Sequence, residues 1–118
     1  MGEPCSWERM QFCRGSILEL DDLIYNLVKA EQAAKSGDEE WAKRHLEYAK
    51  SYFEEATKQG LIKGPHKRRL AEELDNMEKS LTARDFNRFI SWAFLAQDTA
   101  RKALYKYFSE CLCGKSFD

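Results

Sequence analysis

The side chains of this 118-residue sequence best suited to chemistry are its four cysteines, its two histidines and one run of basic residues. Cys111 and Cys113 form a CxC pair near one end, and Cys5 and Cys13 lie near the other. Converging thiolates hold zinc, but structural zinc sites use CxxC knuckles, and the two residues of a CxC diverge on a helix unless its end unwinds. A metal site therefore competes with two plainer readings: buried free thiols, or a Cys13–Cys111 disulfide that staples two helix ends. His45 and His66 stand on separate segments, outside any ExxH or HExxH pattern, so the ligand sets of di-iron and zincin chemistry have no counterpart here. Walker, GxGxxG and GxSxG motifs are absent as well. Acidic neighbours such as Glu39-Glu40, Glu54-Glu55 and Glu72-Glu73 point apart on a helix and read as solvated faces. The expectation is a chain with no catalytic residues, no metal and no cofactor.

The basic run comprises Lys63, His66, Lys67, Arg68 and Arg69. Positive charge at the start of a helix opposes the macrodipole, which invites a phosphate or an acidic partner as its reason. Nucleic-acid sites normally have a larger basic footprint interleaved with aromatic rings, so simple solvation is the competing reading.

These residues must be positioned by helices. Apolar residues at Met10, Cys13, Ile17, Leu20, Ile24, Leu27 and Ala34 alternate spacings of three and four and keep one face together. Gly37 suits a left-handed C-cap and Asp38 an N-cap, ending this first helix and starting a second. The second runs from about Glu39 to Gln59, with Trp41, Ala42, His45, Leu46, Ala49, Tyr52, Phe53 and Ala56 on its inner face, and Gly60 closes it. Gly64-Pro65 opens the third in an N-cap and N1 arrangement, with Leu70, Leu74, Met77 and Leu81 as its stripe. The fourth is expected to begin near Thr82, with Asp85 at the capping-box offset, and to carry Phe86, Phe89, Ile90, Ala93, Ala96, Ala100, Ala103, Leu104, Tyr107 and Cys111 inward. Trp92, Leu95, Tyr105 and Phe108 widen that stripe and predict the most buried helix of the set.

Short connections place successive helices antiparallel, giving an all-α, up-down four-helix bundle in a single domain over residues 1–118. The first and fourth helices are expected to run to about 28–30 residues and the middle two to about 17–21, so the outer pair overhangs. Antiparallel register gathers Cys5, Cys13, Cys111 and Cys113 on that overhang, together with Trp7, Met10, Phe12, Tyr105, Phe108 and Leu112. That is more apolar surface than two unsupported helices can hide, and such patches mark interaction sites. A homodimer formed there is the expectation; the competing reading folds the N-terminal segment back at Gly15 and buries the same residues within one chain.

Lys plus Arg is 19 and Asp plus Glu is 20, so the net charge of −1 provides no overall field for nucleic acid or an anionic membrane. No apolar stretch approaches the roughly 20 residues that span a bilayer, and the N-terminus lacks a secretory h-region, so a cytoplasmic protein without membrane partners is expected.

Two local patterns resemble known families. Gly37-Asp38 followed by Ala49, Phe53 and Ala56 resembles the second half of a tetratricopeptide repeat, in a single copy where a solenoid needs about three. Ala96-Gln97, Ala100, Lys102-Ala103-Leu104 and Lys106 resemble the alanine- and lysine-rich helix of HEPN domains, and Trp41-Ala42 through Ala49 and Phe53 is similar to its paired helix. HEPN domains are small helical bundles found with nucleotidyltransferases or in RNA-targeting defence systems. Their ribonuclease signature, an arginine four to six residues ahead of a histidine, is missing at both His45 and His66. The resemblance implies a catalytically inert member that binds nucleic acid or a nucleotide through the Lys63–Arg69 patch. The residues themselves point first to a non-enzymatic protein-interaction module that associates with itself or with another protein.

Overall fold

The computed structural model describes residues 7–113. Four helices account for most of them: α1 (Trp7–Lys35), α2 (Glu39–Lys58), α3 (Gly64–Thr82) and α4 (Phe86–Cys113). α1 packs along α2 and α4, and α3 along α4, while α2 and α3 meet over a short stretch. Side-chain pairs give the directions. Cys13 near the start of α1 is bonded to Cys111 near the end of α4, and Gln97 donates to Glu31 at 2.7 Å farther along the same two helices, so α1 and α4 run antiparallel. Arg84 with Glu39 and Lys50 with Glu78 fix the same relation between α2 and α3.

The connections follow from local chemistry. Gly37 takes φ +77°, the Gly37 and Asp38 amides donate to the Ala34 and Ala33 carbonyls, and Asp38 then accepts from the Trp41 amide at 3.1 Å. This satisfies the last carbonyls of α1 and a first amide of α2 within three residues. The end of α2 repeats the device at Gly60. The third turn uses Arg84, a non-glycine residue at φ +58°, with Asp85 accepting from the Arg88 amide at 3.1 Å. The start expected near Thr82 is thus corrected: Thr82 ends α3, the left-handed residue separates the helices, and Asp85 is itself the N-cap of α4. The N-cap of α3 is Lys63 rather than Gly64, and no side chain caps it.

α1 is one continuous helix through Gly15, so the chain does not fold back there. With 29 residues in α1 against 20 in α2, and 28 in α4 against 19 in α3, the outer pair projects past the inner pair at the end that holds the chain termini. At about 1.5 Å per residue this overhang amounts to about two and a half turns on each helix.

One core runs through all four helices. Leu20, Leu23 and Leu27 of α1, Leu46 of α2, Leu70, Leu74 and Met77 of α3, and Phe89 of α4 are buried in it, with Leu61 and Ile62 tucked in from the connection. Ala93, Ala96, Ala100 and Ala103 are buried as well, and their small side chains let α1 and α3 approach α4 closely. Two expectations of burial fail. Trp41 is about half exposed at the edge of α2, and the wide apolar surface of α4 is not all inward, since Leu95, Tyr105 and Phe108 are exposed.

Candidate functional site

The cysteines resolve into a disulfide. Cys13 and Cys111 are 0% and 6% exposed, with Cα atoms 5.9 Å apart, and their bond ties the first turns of α1 to the last turns of α4 across a sequence separation of 98. Among the described residues no three His, Cys, Asp or Glu side chains cluster as a metal site requires. Cys5 lies outside the described residues, as does the side chain of Cys113.

Next to the disulfide, an open groove of about 450 Å³ lies between α1 and α4. Ile17, Asp21 and Ile24 form one wall, and Arg101, Leu104, Tyr105 and Phe108 the other. Spacings of four and three put Ile17, Asp21 and Ile24 on one side of α1, and spacings of three, one and three do the same for α4. The lining is mostly apolar, with one acid and one base. Tyr105 is 78% exposed and Phe108 41%. Phe94, 62% exposed, continues the Arg101–Tyr105 stripe by two turns, and Leu18 and Tyr25 stand out from α1 beside the groove. The other residues expected on this surface, Trp7, Met10, Phe12 and Leu112, have side chains outside the described residues.

The basic residues are spread over the opposite flank of the same end. Lys63, Lys67, Arg68 and Arg69 are exposed, while His66 is half-buried against Lys106, Tyr107 and Glu110 of α4. The structure does not bring them to the groove. The acidic residues in the ion pairs Glu31–Lys35, Glu40–Arg44, Asp75–Lys79 and Asp98–Lys102 serve other cations.

Two polar features border the core: the contact of half-buried His45, expected on the inner face of α2, with Asn26, and the buried Glu73, which escaped the sequence. His45 Nδ1 lies 3.0 Å from Asn26 Oδ1 across the α1/α2 contact. Burial, assisted by the positive charge of Lys29, holds the His45 pKa below its ordinary value and favours the neutral ring. Glu73 of α3 is 6% exposed, and its Oε1 has no hydrogen-bond partner among the described residues. Burial raises the Glu73 pKa; a hydrogen bond with Thr99 and the charge of Arg69 oppose the shift, while Asp98 and Glu72 reinforce it. The sequence signal for Glu73 is its position, three residues after Leu70 and four before Met77, on the core stripe. The signal for the groove is Ile17 and Ile24 facing Leu104 and Phe108: Ile24 and Leu104 are partly buried against the core, as expected, and Phe108 is exposed beside them.

No helix among the described residues is long and apolar enough to cross a membrane. No protein-family model, curated protein or solved structure matches this chain.

Proposed function

We propose that this chain is a non-enzymatic protein-interaction module that receives a protein partner on the outer face of α1 and α4. The observation behind this reading is the groove itself, an apolar concavity lined by Ile17, Ile24, Leu104, Tyr105 and Phe108, with Tyr105 and Phe108 substantially exposed and Leu18, Tyr25 and Phe94 exposed elsewhere on the same two helices. Contiguous apolar surface of this kind is rare on monomers, and exposed aromatic rings are the favoured anchors of protein interfaces. The Cys13–Cys111 bond supports the reading by holding the end of the groove in one shape. A cytoplasmic setting belongs to the same proposal; a disulfide is unusual in that reducing compartment, and the burial of both cysteines slows the access of reductant.

The test is photo-crosslinking in the native host with a benzoylphenylalanine placed at position 105 and, as control, at position 48 on the far face of α2. A protein adduct specific to position 105 is expected. Equal labelling at both positions, or none at 105, would remove the proposal.

A second reading is favoured by one observation: α3 begins at Lys63 without a side-chain cap, has no acidic residue in its first turn, and carries Lys67, Arg68 and Arg69 exposed on that turn and the next. Open amides and cations together suit an anion. In this reading the chain is the inert HEPN-like nucleic-acid binder, and single-stranded RNA would bind it with a steep salt dependence.

A further inference from the structure

We infer that the occupant of the α1/α4 groove is a second copy of this chain, related by a two-fold axis along the groove, with Asp21 of each copy paired to Arg101 of the other. The inference rests on the docking face proposed above and names its partner.

The charges of the groove carry the argument. Asp21 stands on one wall and Arg101 on the other, both exposed, and neither belongs to an ion pair among the described residues. Asp98, the acid one turn before Arg101 on α4, is engaged with Lys102, and Asp22 beside Asp21 adds a second negative charge to the same stretch of α1. One acid and one base on opposite walls of an apolar groove form a self-complementary surface. An isologous contact requires this, because each patch must fit its own copy.

The same charges select the axis. An axis crossing the groove would set Arg101 over Arg101 and Asp21 over Asp21, which repels twice. An axis along the groove lays α1 of each copy over α4 of the other and keeps the levels of the two chains equal. The register fixed by Cys13–Cys111 and Glu31–Gln97 places Arg101 about level with Tyr25, roughly one turn from Asp21. One turn is about 5.4 Å along the helix, which an arginine side chain spans. Arg101 therefore reaches the partner subunit's Asp21, and the partner subunit's Arg101 reaches Asp21 in return.

Tyr105 completes the fit. It follows Arg101 by one turn on the same side of α4, and its ring is the most exposed of the groove. In the two-fold arrangement it enters the opposite groove beside the partner's Ile17 and Ile24, burying apolar area on both sides at the centre of the contact.

Sedimentation of the wild-type chain and of charge-reversed variants at about ten micromolar tests this. The wild type is expected to be a dimer. D21R and R101D each replace two attractions with two repulsions and should weaken the dimer by at least about a hundredfold. An equal mixture of D21R and R101D should form a one-to-one heterodimer, and the doubly reversed D21R/R101D chain should dimerise again. Both positions are exposed on helix surfaces, and circular dichroism of each variant checks that the fold persists. A dimer indifferent to the single reversals, or single variants that stay apart when mixed, would overturn the inference. So would a monomeric wild type. In that last case crosslinking at position 105 separates the two claims: an adduct with a different protein leaves the docking face standing without self-association, and no adduct removes both.

Discussion

The cleft between α2 and α3 encloses about 330 Å³ and is lined by Glu39, Lys43, Glu47, Glu78 and Arg84 around a floor of Leu46 and Leu81, whereas the groove between α1 and α4 is apolar apart from Asp21 and Arg101. In the first, charges from the two walls meet: Arg84 pairs with Glu39 at 3.1 Å, and Lys50 with Glu78. In the second, the two charges have no such partners and the aromatic rings point to solvent. The pairs of helices also differ in how they touch, since α2 and α3 meet over a short stretch while α1 and α4 are in contact along much of their length. Exposed apolar surface therefore does not follow from loose packing here. The weakly packed cleft completes itself with hydrated charge, and the well-packed pair is the one that leaves apolar surface exposed.

The largest expected effect concerns what keeps α1 and α4 together on their overhang. Beyond the ends of α2 and α3 these helices have only each other, and Cys13–Cys111 is their covalent tie. Closing a loop of nearly a hundred residues restricts the unfolded chain enough to contribute about 4 kcal/mol. Cys13→Ala combined with Cys111→Ala should lower stability by roughly that amount in urea unfolding, with a larger m-value because the unfolded chain becomes less compact. The wild type under strong reductant should behave alike. If the double variant unfolds at the wild-type midpoint, the bond is incidental and the groove is shaped by packing alone.

A middle-sized effect is expected at Glu73, between α3 and α4, where the fold tolerates a carboxyl on its core stripe. Because the native state raises the Glu73 pKa, it binds that proton more tightly than the unfolded chain does. The contribution of this group to stability is then complete at acid pH, below the ordinary value of 4.5, and is lost as pH rises through the native value. Glu73→Met removes the charge and the unpartnered oxygen while keeping the volume, and should stabilise the protein by about 1–2 kcal/mol near pH 8. The gain should shrink as the pH falls toward 4. A constant difference across that range would mean that ionisation of Glu73 is not what costs stability.

How far the sequence discloses this molecule depends on which property a residue uses. The bundle is legible because Leu70, Leu74, Met77 and Leu81 repeat at helical spacing, and because Gly37-Asp38 and Gly60 mark turns by backbone chemistry that few other residues share. The unequal helix lengths, and the placement of Cys13 and Cys111 on one overhang, follow from counting residues between such marks. The α3/α4 boundary was misplaced because Arg84 does there what glycine does elsewhere, and a left-handed arginine has no signature in one sequence. The groove was harder still. Tyr105 and Phe108 flank an apolar stripe, and flanking residues read equally well as a wider core or as an outward face; only the positions of neighbouring helices decide. Asp21 and Arg101 are ordinary surface charges until the antiparallel register sets them on opposite walls. Glu73 reads as half of a solvated acidic pair, Glu72-Glu73, because adjacent residues point apart; here one of the two lands on the core stripe, whereas Glu54 and Glu55 are both exposed.

The smallest expected effect asks whether ion pairs really complete the α2/α3 cleft, and it sits at Arg84. Its φ of +58° is disfavoured for a side chain with a Cβ, and its guanidinium is paired with Glu39. Arg84→Gly relieves the backbone, worth about 1 kcal/mol, and loses an exposed ion pair, worth about 0–1 kcal/mol. Part of the backbone gain is offset by the greater freedom of glycine in the unfolded chain. The net expectation is a variant more stable by about 0.5 kcal/mol, with strain outweighing the pair. Salt separates the contributions: screening weakens the wild-type pair and leaves the backbone untouched, so the advantage of the glycine variant should widen from low to high salt. Were Arg84→Gly less stable at both ionic strengths, the Arg84–Glu39 pair would be a principal tie between α2 and α3, and the contrast between a hydrated cleft and an apolar groove would have to be redrawn around it.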